Sequence, residues 1–193
     1  MKKAILTILI MSTFLCSCAS QSTDTIFIHA VYLQENDNGV KISAICEKQG
    51  VSNGEYTTIS ETAENLKAAA ENLRSKNKEC YFATCRLIII PIDAENSFIE
   101  HLAENLSDSN IFPTKSRIIC SQNSNITDSL KSAYDIQNIL ELCKKNKTNT
   151  IKFLSLFMEG KLASLPSFSV NENGKAERNQ NRTFVRKDIN ING

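Results

Sequence analysis

The chain has 193 residues, 41% apolar and 22% charged, which excludes wholesale disorder and sizes it as one domain with room for a small second unit. Six Gly and three Pro exclude collagen-like and Pro/Gly low-complexity sequence. A formal net charge of +1 supplies no basic excess to hold a phosphate backbone, so nucleic acid is not an expected partner.

Met1-Lys2-Lys3 is a short cationic start, Ala4 to Leu15 is almost uninterrupted apolar sequence, and Cys16-Ser17-Cys18-Ala19-Ser20 follows. This is the layout of a secretory signal peptide, too short to span a bilayer, which takes about 20 residues. An uncleaved N-terminal anchor is the competing reading. Leu15-Cys16-Ser17-Cys18 resembles a bacterial lipobox, with Leu at −3, a small residue at −1 and Cys at +1. The resemblance implies cleavage after residue 17 and diacylglyceryl modification of Cys18, the lipid-attachment residue. Two acyl chains anchor stably where one is marginal. Removing residues 1–17 removes Lys2 and Lys3 and takes the net charge from +1 to −1, so the lipid carries the membrane binding. Residues 18–24 are a polar tether.

From Thr25 to Leu33 apolar residues lie on both alternating faces, the pattern of a strand covered on both sides. Asn36-Asp37-Asn38-Gly39 is a turn, and Val40 to Lys48 alternates as a strand with one wet face, completing an antiparallel hairpin. Thr58-Ile59-Ser60-Glu61 matches a capping box, and Ile59, Ala63, Leu66, Ala70 and Leu73 form one helical stripe; this spacing predicts a helix over 59–75. Leu87-Ile88-Ile89-Ile90-Pro91 reads as a buried central strand, joined by a right-handed crossover that places it parallel to 40–48. Further helices are expected over 93–106, 124–132, 135–145 and 151–158, and a strand over 115–121. Segments 166–170 and 183–188 are candidate strands flanking a polar stretch. The fold class expected is α+β or mixed α/β: a mixed parallel-antiparallel sheet of about four strands, three to five helices and a C-terminal hairpin. The divisions are a leader at 1–17, a tether at 18–24, a mixed domain at 25–165, and a strand pair or truncated remainder at 166–193.

Little in the sequence points to catalysis. The glycines are scattered, without a phosphate-binding loop. His29 shares a strand face with Phe27 and Val31 and reads as a hydrogen-bonded core histidine; His101, between Glu100 and Glu104, reads as a solvated helix position. Beyond Cys18 stand Cys46, Cys80, Cys85, Cys120 and Cys143, an odd number that cannot all pair internally. Most neighbour apolar residues and read as buried, inert thiols. Cys80 and Cys85 are the best-placed pair, needing a turn at 81–84. No metal-ligand spacing and no cofactor motif occurs, so no catalytic, metal or cofactor residue is assigned. Lys144, Lys145 and Lys147 read as cations at a helix C-terminus rather than as a binding patch.

Tyr56-Thr57-Thr58-Ile59-Ser60-Glu61-Thr62-Ala63-Glu64-Asn65-Leu66, followed by Lys78-Glu79-Cys80-Tyr81-Phe82-Ala83-Thr84 and Leu87-Ile88-Ile89-Ile90, resembles the N-terminal domain of the spore germination receptor C subunits, the Ger(x)C lipoproteins. In that family a Ser/Thr-Ile-x-x-Ala-x-x-x-Leu helix precedes a Lys-x-x-Tyr-Phe-x-His segment and an Ile/Val-rich strand; here Thr84 stands at the His position. The likeness is to a divergent or truncated member. It implies a non-enzymatic lipoprotein on the outer face of a bacterial cell or spore inner membrane, acting through protein contacts with integral-membrane receptor subunits. A lipid-anchored small-ligand-binding protein is the alternative, and an exported hydrolase the third reading.

Overall fold

The structure, a computed structural model, describes residues 25–48, 56–77, 80–108, 111–144, 150–171 and 173–186. The leader, Cys18, the tether, Lys145, Lys147 and residues 187–193 lie outside the described residues. The described chain builds a mixed α/β fold: β1 (Ile26–Asn36), β2 (Gly39–Lys48), β3 (Tyr56–Ala63), α1 (Leu66–Lys76), β4 (Cys80–Tyr81), β5 (Leu87–Pro91), α2 (Asn96–Asp108), β6 (Arg117–Ser121), α3 (Ile126–Ser129), α4 (Ala133–Leu142), α5 (Thr150–Met158), β7 (Ala163–Val170) and β8 (Ala176–Phe184). The sheet has eight strands, in the order β3-β2-β1-β5-β6-β7-β8 with β4 paired to β1. That corrects the expectation of about four strands.

The β1–β2 hairpin forms as the alternation predicts, closing on Asp37-Asn38 with Asn36 opposite Gly39. Gly39 has φ +111, and a Cβ there would fall 2.7 Å from Glu64 Cα, so backbone packs directly on backbone at this corner. Parallel strands β1, β5, β6 and β7 form the middle of the sheet. Leu87 to Ile90 are buried on both faces, as a central strand requires.

Residues 56–63 are the clearest correction. They form β3, paired to β2 rung by rung from Val40↔Ala63 to Glu47↔Tyr56, and the helix begins only at Leu66. Ile59 and Ala63 are four apart, a spacing that suits the helical period and is also a multiple of the strand period. The β-branched Thr57, Thr58 and Thr62 and an unpaired edge on β2 decide for the strand. The Thr58–Glu61 capping box is not formed: Asn65 caps α1 by accepting from Ala68 N at 2.9 Å, and Glu61 pairs with Lys76 at 2.7 Å. The segment that resembles the family's helix is thus strand up to Ala63. The extra strand also changes the crossover, because the chain enters α1 from β3. β5 therefore lies parallel to β1, not to 40–48, which runs the opposite way.

Other elements shift less. The expected 124–132 helix is the single turn α3, and the next starts at Ala133, where Ser132 and Asp135 make the capping box. The polar stretch after Val170 is mostly strand: β7 and β8 join through a turn at Asn171–Lys175, with Gly174 at φ +74. β8 is an edge strand with mostly exposed residues, so its sequence carries no burial pattern to read. Pro166, which lacks an N–H, sits where the β7–β8 register slips.

Two cores flank the sheet. One, under α1, α2 and α5, holds Leu66, Leu73, Phe98, Leu102, Phe153 and Phe157 against Ile88 and Ile90. The other, under α3 and α4, holds Ile126, Ile136 and Ile139 against Leu87, Ile89 and Phe168.

Candidate functional site

Thr25 leads straight into β1, so the chain from Cys18 reaches the domain at the end of the sheet where the parallel strands begin. Three other pieces of chain meet at that end. They are the turn Phe82–Thr84 before β5, the 111–116 segment before β6, and the C-terminus of α4. Thr84 ties the first to β1, its hydroxyl donating to Ile28 O at 2.8 Å. Ser116 ties the second to the first, donating to Cys85 O at 2.8 Å, and accepts at its own carbonyl from the Thr150 hydroxyl at 2.7 Å.

Between these pieces lies an open groove of about 420 Å³, bordered by Arg86, Lys115, Arg117, Lys144, Gln137 and Glu141. Four cations thus face one carboxylate. The groove's inner wall is a chain of contacts: Arg86 Nη2 donates to Gln137 Oε1 at 2.9 Å, and Gln137 Nε2 donates to Glu141 Oε1 at 2.6 Å. Lys144 Nζ pairs with Glu141, and Arg117 Nη1 donates to Cys143 O at 3.0 Å. The Lys144 hydrogen bond holds the Glu141 carboxyl below the usual carboxylate range, with Gln137 and nearby charge adding to it. Lys144 therefore serves Glu141, while Arg117, from a strand far off in sequence, bonds the carbonyl just past the end of α4. Lys115 and Arg117 stand two apart in one stretch, but Arg86 and Lys144 come from other segments, and no local spacing in the sequence joins the three pieces. Cys18, the one site residue assigned from sequence, is not among the described residues, though the chain it belongs to enters at this end.

His29 lies close by. Ile28 pairs with Cys46 and Ala30 with the adjacent Ile45, so His29 is the extra residue of a β-bulge. The bulge leaves His29 beside Glu47 and Tyr56 and turns Val31 to the opposite core, so His29 and Val31 do not share a face. Its ring stacks on Tyr56 at 4.9 Å and 5°. Its Nε2 is 3.4 Å from Glu47 Oε2 yet makes no hydrogen bond, so the hydrogen-bonded core histidine read from sequence is instead a stacked one with a buried, unbonded nitrogen. Burial lowers its pKa below 6.5; Glu47 opposes that shift and Arg86 adds to it. His101 is exposed on α2, as its carboxylate neighbours suggested.

The thiols of Cys46, Cys80, Cys85, Cys120 and Cys143 are free and buried, Cys80 and Cys85 included. Burial pushes Cys46, Cys85 and Cys120 up to about 12, which keeps them protonated and poorly nucleophilic. Among the described residues, no three His, Cys, Asp or Glu side chains converge as a metal site would require. No described helix is long and apolar enough to cross a membrane. Comparison with known protein families, curated proteins and solved structures finds no match to this chain.

Proposed function

We propose that this protein is a non-enzymatic, membrane-anchored lipoprotein on the outer face of a bacterial cell or spore inner membrane. On this reading it is a C-type subunit, or a truncated relative, of a spore germinant receptor. The observation that carries the reading is the leader and lipobox ending at Cys18, seven residues ahead of Thr25. Protein contact as its mode of action is supported by apolar side chains left outside the cores. Ile151 (52% exposed) and Met158 (38%) lie seven apart on the outer side of α5, and Leu162 (70%) follows its end. The buried, protonated thiols likewise favour a binding role over nucleophilic chemistry.

Mass spectrometry of the membrane-extracted protein tests the anchor: a diacylglyceryl mass on an N-terminal Cys18 is expected, and Cys18→Ala should appear in the medium. A bare thiol, or a Cys18→Ala protein that stays with the membrane, overturns the anchor. Gentle extraction tests the partner. Co-purification with a multi-span membrane protein, lost on Ile151→Lys or Leu162→Lys, is expected; a partner-free monomer overturns the subunit reading. The alternative, a lipid-anchored protein for small ligands, is favoured by the groove beside Arg86, although its rim is charged where a typical small-molecule pocket is mostly apolar.

A further inference from the structure

The whole-chain charge, near zero, conceals a local cluster of cations. At the end where β1 begins stand Arg86, Lys115, Arg117 and Lys144 around the groove, with Glu141 as its one carboxylate. Arg74 lies there as well, its guanidinium 5.0 Å above the Phe82 ring. At the opposite end carboxylates outnumber cations: Glu35 precedes the β1–β2 turn, Asp37 lies in it, and Asp93 and Glu95 follow β5, against Lys41 opposite Gln34 and Lys175 in the β7–β8 turn. Tyr81, 48% exposed, stands on the basic end with its ring against Phe27.

The register shows how close this end lies to the tether. Arg86 N donates to His29 O at 2.9 Å, so the groove is level with His29. Ile26 is three residues nearer the tether, roughly 10 Å along the strand. The seven residues from Cys18 to Asp24 reach at most about 25 Å when extended. A body held on so short a leash must turn some face to the bilayer, and the basic end is the one the leash enters.

Resting on the anchor reading, we infer that the Arg86–Lys115–Arg117–Lys144 groove is a seat for anionic lipid headgroups, so that the domain stands on the membrane with the basic end down. The lipid phosphate would sit at the mouth of the groove against the exposed Lys115, with Arg86 and Lys144 adding charge while they keep their bonds to Gln137 and Glu141. Arg117, only half-buried and held by the Cys143 carbonyl, adds its charge from behind. Charge complementarity chooses an anionic surface over a neutral one. The tether chooses a lipid over a free phosphate, because it presents headgroups at high local concentration.

The test uses the full lipidated protein, extracted in detergent and reconstituted into phosphatidylcholine vesicles with or without phosphatidylglycerol. Lysine acetylation is followed residue by residue by mass spectrometry. Lys115 should be acetylated about threefold or more slowly on the anionic vesicles, and the difference should vanish in 0.5 M salt, as screening requires. Lys175, in the turn at the far end, should react alike on both. The Arg86→Gln, Lys144→Glu double variant should float with both vesicles yet lose the Lys115 protection. Flotation on both without differential protection keeps the anchor and overturns the headgroup seat. Flotation on anionic vesicles alone, with Lys115 protected, keeps the seat and overturns the acyl anchor. Flotation on neither overturns both. Protection of Lys115 by inorganic phosphate on neutral vesicles, equal to that on anionic ones, assigns the groove to a soluble anion and overturns the lipid.

Discussion

The two faces of the sheet are built differently from the same strands. On β5, Ile88 and Ile90 enter the core under α1, α2 and α5, while Leu87 and Ile89 enter the core under α3 and α4. The first is a thick aliphatic and phenyl core, with Phe98, Phe153 and Phe157 at most 1% exposed. The second is thinner and tolerates polarity. His29 stacks on Tyr56 at its border, and on the same side of β2 Ser43 accepts from the Ser60 hydroxyl at 2.9 Å. Both faces bury apolar side chains, but one does so with the larger cluster, and the other leaves room for polar groups and for the helix whose end forms the basic groove.

Thiol chemistry should separate the faces most widely. At pH 8 a thiol near 12 is about one part in ten thousand thiolate, against roughly a quarter for a free one. Cys46, Cys85 and Cys120, all in the thick core and pushed to about 12, should therefore react with Ellman's reagent at least about a thousandfold more slowly in the native protein than in urea. Cys143 in the thin core should react ahead of them, and so should Cys80, which belongs to the thick core but lies at its rim, 8% exposed. Ready labelling of Cys85 would mean the thick core opens. Truncation comes next: Leu73→Ala in the thick core should cost about 4 kcal/mol in urea unfolding, and Leu140→Ala on the thin side, 8% exposed, about 2 kcal/mol. Equal losses would remove the distinction.

Helix caps give a smaller contrast. Asn65→Ala, at the start of α1, should cost about 1 kcal/mol. Ser132→Ala, at the start of α4, should cost slightly more, because the Ser132 hydroxyl both donates to Asp135 Oδ2 at 2.8 Å and accepts from Asp135 N at 3.4 Å. The smallest effect is the pH slope of the thin side. His29 titrates lower folded than unfolded, so the unfolded chain binds more protons in between; its contribution is fully present above pH 6.5 and is lost as pH falls through the folded value. His29→Phe keeps a ring over Tyr56 and should flatten that part of the urea midpoint against pH. An unchanged slope would place the titrating group elsewhere.

The sequence by itself determined the hairpin, the buried strand 87–91, the helix after 93 and the apolar burial of the cysteines. Each rests on period or on local composition, which one stretch of chain carries alone. Only the tertiary structure decided that 56–63 pairs as a strand, since Ile59 and Ala63 suit either period and the edge of β2 breaks the tie. It also decided that the polar 176–184 stretch closes the sheet, because an edge strand takes its hydrogen bonds from a neighbour and needs no apolar face. The bulge at His29 is a matter of register, and register belongs to two strands at once. The basic groove joins residues 86, 115, 117 and 144, and a charge sum over the chain cannot see it, because a sum discards position and only folding restores it.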